Sequence, residues 1–226
     1  ESVFYTRHGQ FIYGEPAGLD AGYDWPQYSI HRGDLQMALW AAVRQRLGDD
    51  CVTVNARCTG VEQDADTVTA RFKDNNGNAL PPVRGRIAVG CDGIHSALRK
   101  QLYPQEGAPR YSGVNMWRGT TRCKPFLSGA SMVRAGWLST GKMVIYPIRD
   151  NIDANGDQLV NWVAEIEAAE PAVRDWNRSG RLEDFFPAFS DWHFDWLDVA
   201  RLIQDADAIL EYPMVDQDPL PTWTKG

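Results

Sequence analysis

The chain opens with short apolar runs and then changes to a longer, helical spacing. Ser2–Arg7 and Gln10–Gly14 predict two strands joined by a turn at His8-Gly9. From Arg32 onward apolar residues recur every three or four positions, at Leu35, Leu39, Ala42, Val43 and Leu47. This period is typical of an amphipathic helix, and Gly48 marks its C-terminal end.

The next segment contains shorter apolar runs separated by turn residues. They predict strands at Val52–Val54, Thr59–Gln63, Val68–Lys73 and Arg86–Val89, and a helix at Ser96–Leu102. Strands and helices are mixed here, so residues 26–103 form one α/β part of the chain.

After residue 103 the predicted strands become longer and indicate an antiparallel sheet. They are Val114–Arg122, Ser131–Arg134, Lys142–Ile148 and Gln158–Glu165. Two helices follow, Leu182–Trp192, which Pro187 kinks or splits, and Trp196–Asp205, and then a strand at Ala208–Met214. We assign residues 104–226 to a second domain and residues 1–25 to a hairpin of its sheet, which gives a mixed α/β (α+β) fold.

Composition and charge exclude several classes of protein. Of the 226 residues 43% are apolar and 23% are charged, which is ordinary for a globular chain. The net charge of −7 argues against nucleic acid or an anionic membrane surface as a partner, because both require a basic face. No run approaches the ~18 apolar residues of a membrane span. The four cysteines form no CxxC pair, so we expect reduced thiols in a cytoplasmic protein.

One segment has the pattern of a turn that binds a phosphate or a ribose. Gly85–Arg99 reads GRIAVGCDGIHSALR, in which an apolar strand leads through Asp92-Gly93 into a helix. Glycines allow close approach of a ligand, and the first N–H groups of a helix favour an anion. Asp92 can accept a hydrogen bond from a ribose hydroxyl. The alternative is an ordinary strand–turn–helix in which Asp92 only caps the helix.

Arg32 opens the long helix, where a cation is electrostatically unfavourable. A bound phosphate would account for its position. The alternatives are a solvated surface arginine, or one that pairs with Asp34 or Asp92. The four histidines have no metal-ligand spacing with cysteine or acidic residues, so we expect no metal site.

The Gly85–Arg99 segment resembles the DG motif of the flavoprotein aromatic hydroxylases, with Cys91 and Leu98 as conservative departures. Arg32, in the run IHRGDL, matches the arginine that reaches FAD in this family, and Gln27 matches a glutamine that contacts flavin in some members. The runs GVNMWRG, LVNWV and LEYPMVDQDPLP resemble the phenazine hydroxylases within the family. The resemblance extends over almost the whole chain. It implies a p-hydroxybenzoate-hydroxylase-like fold with an antiparallel substrate-domain sheet flanked by helices.

The resemblance implies an FAD-dependent monooxygenase that consumes NAD(P)H. In this family NAD(P)H reduces FAD, O₂ gives a C4a-hydroperoxyflavin, and the distal oxygen is transferred to an electron-rich aromatic ring. Because the cofactor performs the chemistry, we assign no catalytic acid or base. The implied FAD contacts are Arg32, Asp92, Gly93 and Gln27. The implied partners are O₂ and a small phenazine- or salicylate-like molecule, and the resemblance allows a homodimer.

Three aromatic residues of the second sheet are candidates for contact with the substrate ring. They are Trp117, Tyr146 and Trp162, because alternate residues of a strand face one side of a sheet. The alternative is that these rings merely pack the sheet.

Two motifs of the family are absent from the 226 residues. They are the strand–GxGxxG–helix unit that holds the ADP half of FAD, and the GD motif that follows a pair like Lys225-Gly226. We therefore expect the middle part of a longer enzyme, which alone binds no stoichiometric FAD and has no hydroxylase activity. The second hypothesis is a non-catalytic module that binds an aromatic ligand, or a degenerate homologue.

Overall fold

The computed structural model describes residues 1–169 and 179–226. These residues form two compact units. The first unit contains Glu1–Gln36 and Arg110–Asp216, and the second contains Met37–Pro109 and Gln217–Gly226. Each unit has its own β-sheet.

The strands and helices of the described residues are numbered in chain order. The strands are β1 (Ser2–Tyr5), β2 (Phe11–Glu15), β3 (Arg57–Gln63), β4 (Val68–Lys73), β5 (Val83–Gly85), β6 (Arg110–Cys123), β7 (Met132–Trp137), β8 (Gly141–Arg149), β9 (Gln158–Glu167), β10 (His193–Phe194), β11 (Leu197–Asp198) and β12 (Ile209–Asp216). The α-helices are α1 (Arg32–Leu47), α2 (Ala97–Leu102), α3 (Leu182–Phe185) and α4 (Val199–Gln204).

The first unit is built on a seven-stranded sheet in the order β12-β6-β9-β8-β7-β1-β2. Neighbouring strands are antiparallel except β1 and β7, which are parallel with Val3 opposite Val133. The hairpin formed by β1 and β2 therefore extends the same sheet as β6 to β9. Its turn is tight, since Gly9 adopts φ 75 and donates its N–H to the carbonyl of Thr6.

One face of this sheet is covered by the segments that follow residue 180. Trp162 of β9 pairs with Gly119 of β6 and Ile145 of β8, so these three positions share this face. It packs against apolar side chains of the C-terminal part of the unit, Phe185, Phe189, Trp192, Val199, Leu202 and Ile203. We call it the core face.

The second unit contains the three-stranded antiparallel sheet β3-β4-β5 and the helix α2. Gln101 of α2 binds both the N–H and the carbonyl of Val61, at 2.9 and 2.6 Å. The C-terminal residues of the unit lie on the same helix, where Arg99 donates to the carbonyl of Asp218 at 3.2 Å and the Tyr103 hydroxyl donates to the carbonyl of Thr222 at 2.7 Å.

Several predicted elements are correct and others are wrong. β4 has the predicted ends, and α1 begins and ends where the apolar period indicates. Val52–Val54 and Arg86–Val89 are not strands. In the second case Ile87 and Val89 are 80% and 79% exposed, and no described strand lies beside them to complete a ladder. The predicted helix from Leu182 is only four residues long and continues as a 3₁₀ turn that contains Pro187.

The apolar stripe of α1 is solvent-exposed, since the helix buries none of its residues within the described structure. All four cysteines are free thiols, as the sequence predicts. Among the described residues, none of the helices combines the length and the apolar character that crossing a bilayer requires.

Candidate functional site

The sheet face opposite the core face carries polar side chains from four adjacent strands. Tyr146 of β8 pairs with Asn161 of β9, and Asn161 pairs with Thr120 of β6. Arg118 precedes Thr120 by two residues and therefore shares this face, as does Tyr212 of β12. We call the surface defined by Arg118, Tyr146, Asn161 and Tyr212 the polar face.

Arg118 and Tyr212 form the best-defined contact of the polar face. The guanidinium carbon of Arg118 lies 5.4 Å from the centroid of the Tyr212 ring, within the range of a cation–π interaction. Burial raises the pKa of Tyr212, while the positive charges of Arg118 and Arg32 act in the opposite direction. Arg118 is half-buried and has no carboxylate partner among the described residues. An anion is the ligand that such a group suits.

Asn161 lies beside Tyr146 and is only 8% exposed. Its side-chain nitrogen is buried and has no hydrogen-bond partner within the described part of the chain. Leaving a buried amide unpaired is costly, so the group is suited to a ligand that carries a hydrogen-bond acceptor.

The expectation that the three candidate rings share one side of the sheet is wrong. Trp117 and Trp162 lie on the core face, where they are 5% and 0% exposed, whereas Tyr146 is half-buried on the polar face. Trp117 stacks on Phe185 at 5.0 Å between ring centroids. Period-two alternation gives the sides within one strand, but the register between strands decides which residues of different strands meet.

Trp162 is further held by a short chain of hydrogen bonds. Its indole N–H donates to the Thr121 hydroxyl at 3.1 Å, and that hydroxyl donates to the carbonyl of Leu202 at 2.7 Å. The Trp162 ring and its polar atom are therefore both occupied by the protein.

Arg32 is exposed at the first position of α1. It forms no ion pair with Asp34, one of the alternatives that the sequence leaves open, because Asp34 pairs with Arg149. Hydrogen bonds from Arg149 lower the pKa of the Asp34 carboxyl and keep it ionised. Arg32 therefore remains available to an anionic ligand.

Gln27 lies at a cleft of about 470 Å³ in the first unit. The cleft is bordered by the loop before α1 and by the end of β8, including Pro26, Tyr28, Pro147 and Arg149. The side chain of Gln27 is exposed.

In the second unit the Asp92 carboxylate binds the start of α2, whose N-cap residue is Ser96. Its Oδ2 accepts the backbone N–H of Ala97 at 2.7 Å, and its Oδ1 accepts the Ser96 hydroxyl at 2.5 Å. Burial raises the pKa of Asp92, but these hydrogen bonds outweigh that effect and lower it below the usual value. Both carboxylate oxygens of Asp92 thus bind the start of the helix.

Gly93 adopts φ 72, and an added Cβ would meet no atom within 4 Å. The positive φ favours glycine, and the space above it allows a ligand to approach the backbone. The open backbone at Gly93 is a feature that fits a nucleotide. Arg32, taken by itself, forms no ion pair with a carboxylate of the described residues, which fits an anionic group such as a phosphate. The described residues contain no group of three or more His, Cys, Asp or Glu side chains that could hold a metal ion.

Sequence reasoning missed Arg118 and Asn161. Both follow from the register around Tyr146, and Arg118 lies next to Trp117 in the run NMWRG. The alternation that places Trp117 on one side of the sheet requires Arg118 on the other side. The arginine next to Trp117 was therefore the sequence feature from which the polar face could have been predicted.

The chain is similar in sequence to several named proteins. It is 40% identical to a phenazine 1,6-dicarboxylic acid hydroxylase, PhzS, of Lysobacter antibioticus over 98% of this chain and 56% of that protein. It is 32% identical to a 3-amino-4-hydroxybenzoate 2-monooxygenase of Streptomyces platensis over 90% of this chain and 47% of that protein. The chain thus spans about half the length of the curated relatives it matches.

The fold of the chain is also found in solved structures. The crystal structure of CtdE in complex with FAD and its substrate superimposes with a TM-score of 0.69, at 14% identity, over 98% of this chain and 53% of that one. The family model described as an FAD binding domain matches residues 16–173. The match covers well over half of the sequence, and the chain therefore belongs to the FAD binding domain family.

Proposed function

We propose that the protein carrying this chain is an FAD-dependent monooxygenase that consumes NAD(P)H and hydroxylates an aromatic ring. Membership of the FAD binding domain family and the similarity to named aromatic hydroxylases support this proposal. The structural observation that carries it is the half-buried Arg118 over Tyr212, on the same face as Tyr146 and without a carboxylate partner in the described chain.

FAD, when bound, supplies the redox chemistry and the activation of O₂. The residues that we assign to contacts with it, as the family resemblance implies, are Arg32, Gln27, Asp92 and Gly93. Arg32 would form a charge-assisted hydrogen bond to phosphate or flavin, which is about twice as strong as a neutral one. Gly93 would present its backbone to the cofactor. Asp92 would act through the capped turn, since both of its oxygens accept hydrogen bonds from the helix.

We assign the aromatic substrate to the polar face. Tyr146 would contact the ring, Arg118 would bind an acidic substituent, and Asn161 would donate to an acceptor on the ring. Trp117 and Trp162 keep a supporting role in the proposal, because they pack the sheet from its core face. A substrate with a carboxylate suits this arrangement, since Arg118 pairs with no acid of the described chain.

We further propose a cytoplasmic location, with NAD(P)H and O₂ as the other reactants. The four free thiols are compatible with a reducing compartment. We propose no nucleic acid and no membrane as partners, because the net charge is −7. A homodimer is the assembly that the family resemblance allows, and a mass measurement in solution decides it.

The proposal is tested by following NAD(P)H oxidation and product formation together. The probes are phenazine-1,6-dicarboxylic acid, 3-amino-4-hydroxybenzoate and their decarboxylated analogues. We expect one acid to give a hydroxylated product in proportion to the NAD(P)H consumed. Binding of a ring without NAD(P)H oxidation under any condition would instead favour the non-catalytic binding module.

A further inference from the structure

The first turn of α1 is tied to the end of β8 by a two-pronged ion pair. Arg149 Nε donates to Asp34 Oδ2 at 2.6 Å, and Arg149 Nη2 donates to Asp34 Oδ1 at 2.5 Å. The residue before the helix adds a third bond, because the backbone N–H of His31 donates to the carbonyl of Ile148 at 3.2 Å. Two consecutive residues of β8, Ile148 and Arg149, thus bind the residue before α1 and the first turn of α1.

This tie is not backed by apolar packing of the helix. Within the described residues α1 buries none of its side chains. Asp34 and Arg149 are themselves 43% and 46% exposed, and ion pairs this exposed contribute little to stability. What a bidentate arginine–carboxylate pair does provide is a defined geometry. The pair therefore affects the position of the first turn of α1 more than the stability of the protein.

The turn carries Arg32, which lies between His31 and the paired Asp34. The strand end carries Tyr146, three residues before Arg149. One ion pair thus joins the residue assigned to FAD and the strand assigned to the substrate ring.

We propose that Asp34 and Arg149 are positioning residues that hold Arg32 in the orientation in which it contacts FAD. This inference rests on the proposed function, since it requires that Arg32 binds the cofactor. Neither Asp34 nor Arg149 touches the cofactor or the ring in the proposal; they act through Arg32.

A double-mutant cycle on FAD affinity separates this role from a general structural one. FAD is titrated into the apo form of the protein carrying this chain, and binding is followed by flavin fluorescence. The proteins are the wild type, Arg149→Met, Arg32→Ala and the double variant. We expect Arg149→Met to raise the Kd for FAD about tenfold in the wild-type background and less than about twofold in the Arg32→Ala background. Asp34→Asn, which is isosteric, should behave in the same way and serves if Arg149→Met does not fold.

The matched control is Arg71→Met, which breaks another exposed bidentate pair, Arg71 with Glu62, at 2.8 Å for both bonds. It should leave the Kd for FAD unchanged within about twofold. An equal loss from Arg149→Met in both backgrounds would overturn the positioning role, as would no loss in either. A wild-type protein that binds no FAD would overturn the proposed function itself, and with it this inference, so the two failures are distinguishable.

Discussion

Trp162 of β9 is paired with Gly119 of the neighbouring strand β6, and its ring fills the space that any side chain at position 119 would occupy. A Cβ added to Gly119 would lie 2.8 Å from Cε2 of Trp162 and closer still to Cζ2. The ring cannot move aside, because its N–H is bonded to Thr121 and its face packs near Phe185 at 6.1 Å between centroids. The glycine in the run NMWRGT is therefore a packing requirement of the core face.

We predict that Gly119→Ala lowers the free energy of unfolding by about 1–3 kcal/mol, as expected for overpacking in a dense core. Chemical denaturation followed by tryptophan fluorescence measures the effect. Gly85→Ala is the control, because a Cβ there would meet no atom closer than 3.5 Å, and it should change the value by less than about 0.5 kcal/mol. Equal effects of the two substitutions would show that the position across from Trp162 tolerates a side chain.

In the protein carrying this chain, Arg32→Ala should weaken FAD binding by about 1.5–3 kcal/mol, which is the usual contribution of a hydrogen bond to a charged group. Arg32→Lys should recover only part of this loss, since lysine lacks the planar fork of arginine. Calorimetric titration with FAD provides the measurement. Arg46→Ala, at an exposed position of the same helix, is the control and should bind FAD like the wild type. An unchanged affinity in Arg32→Ala would identify Arg32 as an ordinary surface residue.

Arg118→Gln should weaken the binding of an aromatic acid by about 1.5–3 kcal/mol and leave its neutral, decarboxylated analogue nearly unaffected. The reason is that only the acid offers Arg118 a negative charge. Equilibrium titration of both ligands gives the comparison, and Arg201→Gln is the control, because Arg201 is already paired with Asp205 at 3.1 Å. The same loss for the acid and for the analogue would mean that Arg118 supports the fold rather than the carboxylate.

The pH dependence of stability should carry a contribution from Asp92. Its pKa is lower in the folded state than in the unfolded state, so ionised Asp92 stabilises the fold above the unfolded value of about 3.9. That contribution is lost as the pH falls through the folded pKa. The free energy of unfolding of the wild type should therefore fall more steeply below about pH 4 than that of Asp92→Asn.

Asp66→Asn is the control for this pH series, because the Asp66 side chain makes no hydrogen bond or ion pair among the described residues. Its pH profile should follow that of the wild type. Parallel profiles for the wild type and Asp92→Asn would show that the bonds to Ser96 and Ala97 do not stabilise the ionised form.

Features that depend on local pattern were predictable, whereas features that depend on pairing were not. The start of α1 at Arg32 and both ends of β4 follow from the spacing of apolar residues. The strand predicted at Arg86–Val89 fails because a strand needs a neighbour, which no local run can specify.

The candidate site divides in the same way. Alternation within β6 separates Trp117 from Arg118, but only the register with β9 and β8 brings Arg118 to the side of Tyr146. The pairing of Asp34 with Arg149, 115 residues away, likewise belongs to the tertiary structure. The motif at Asp92-Gly93 could be located from the sequence. Hydrogen bonding of the Asp92 carboxylate to the following helix was one of two alternatives that the sequence allowed.

Labelling with heavy-isotope dioxygen tests the proposed monooxygenase function most directly. The protein is supplied with FAD, NAD(P)H, labelled O₂ and an aromatic acid such as phenazine-1,6-dicarboxylic acid, and the product is analysed by mass spectrometry. A monooxygenase places one labelled oxygen atom in the new hydroxyl group of the ring, in proportion to the NAD(P)H consumed. A hydroxyl oxygen that comes from water, or NAD(P)H oxidation that yields only peroxide with every aromatic acid tested, would contradict the proposal.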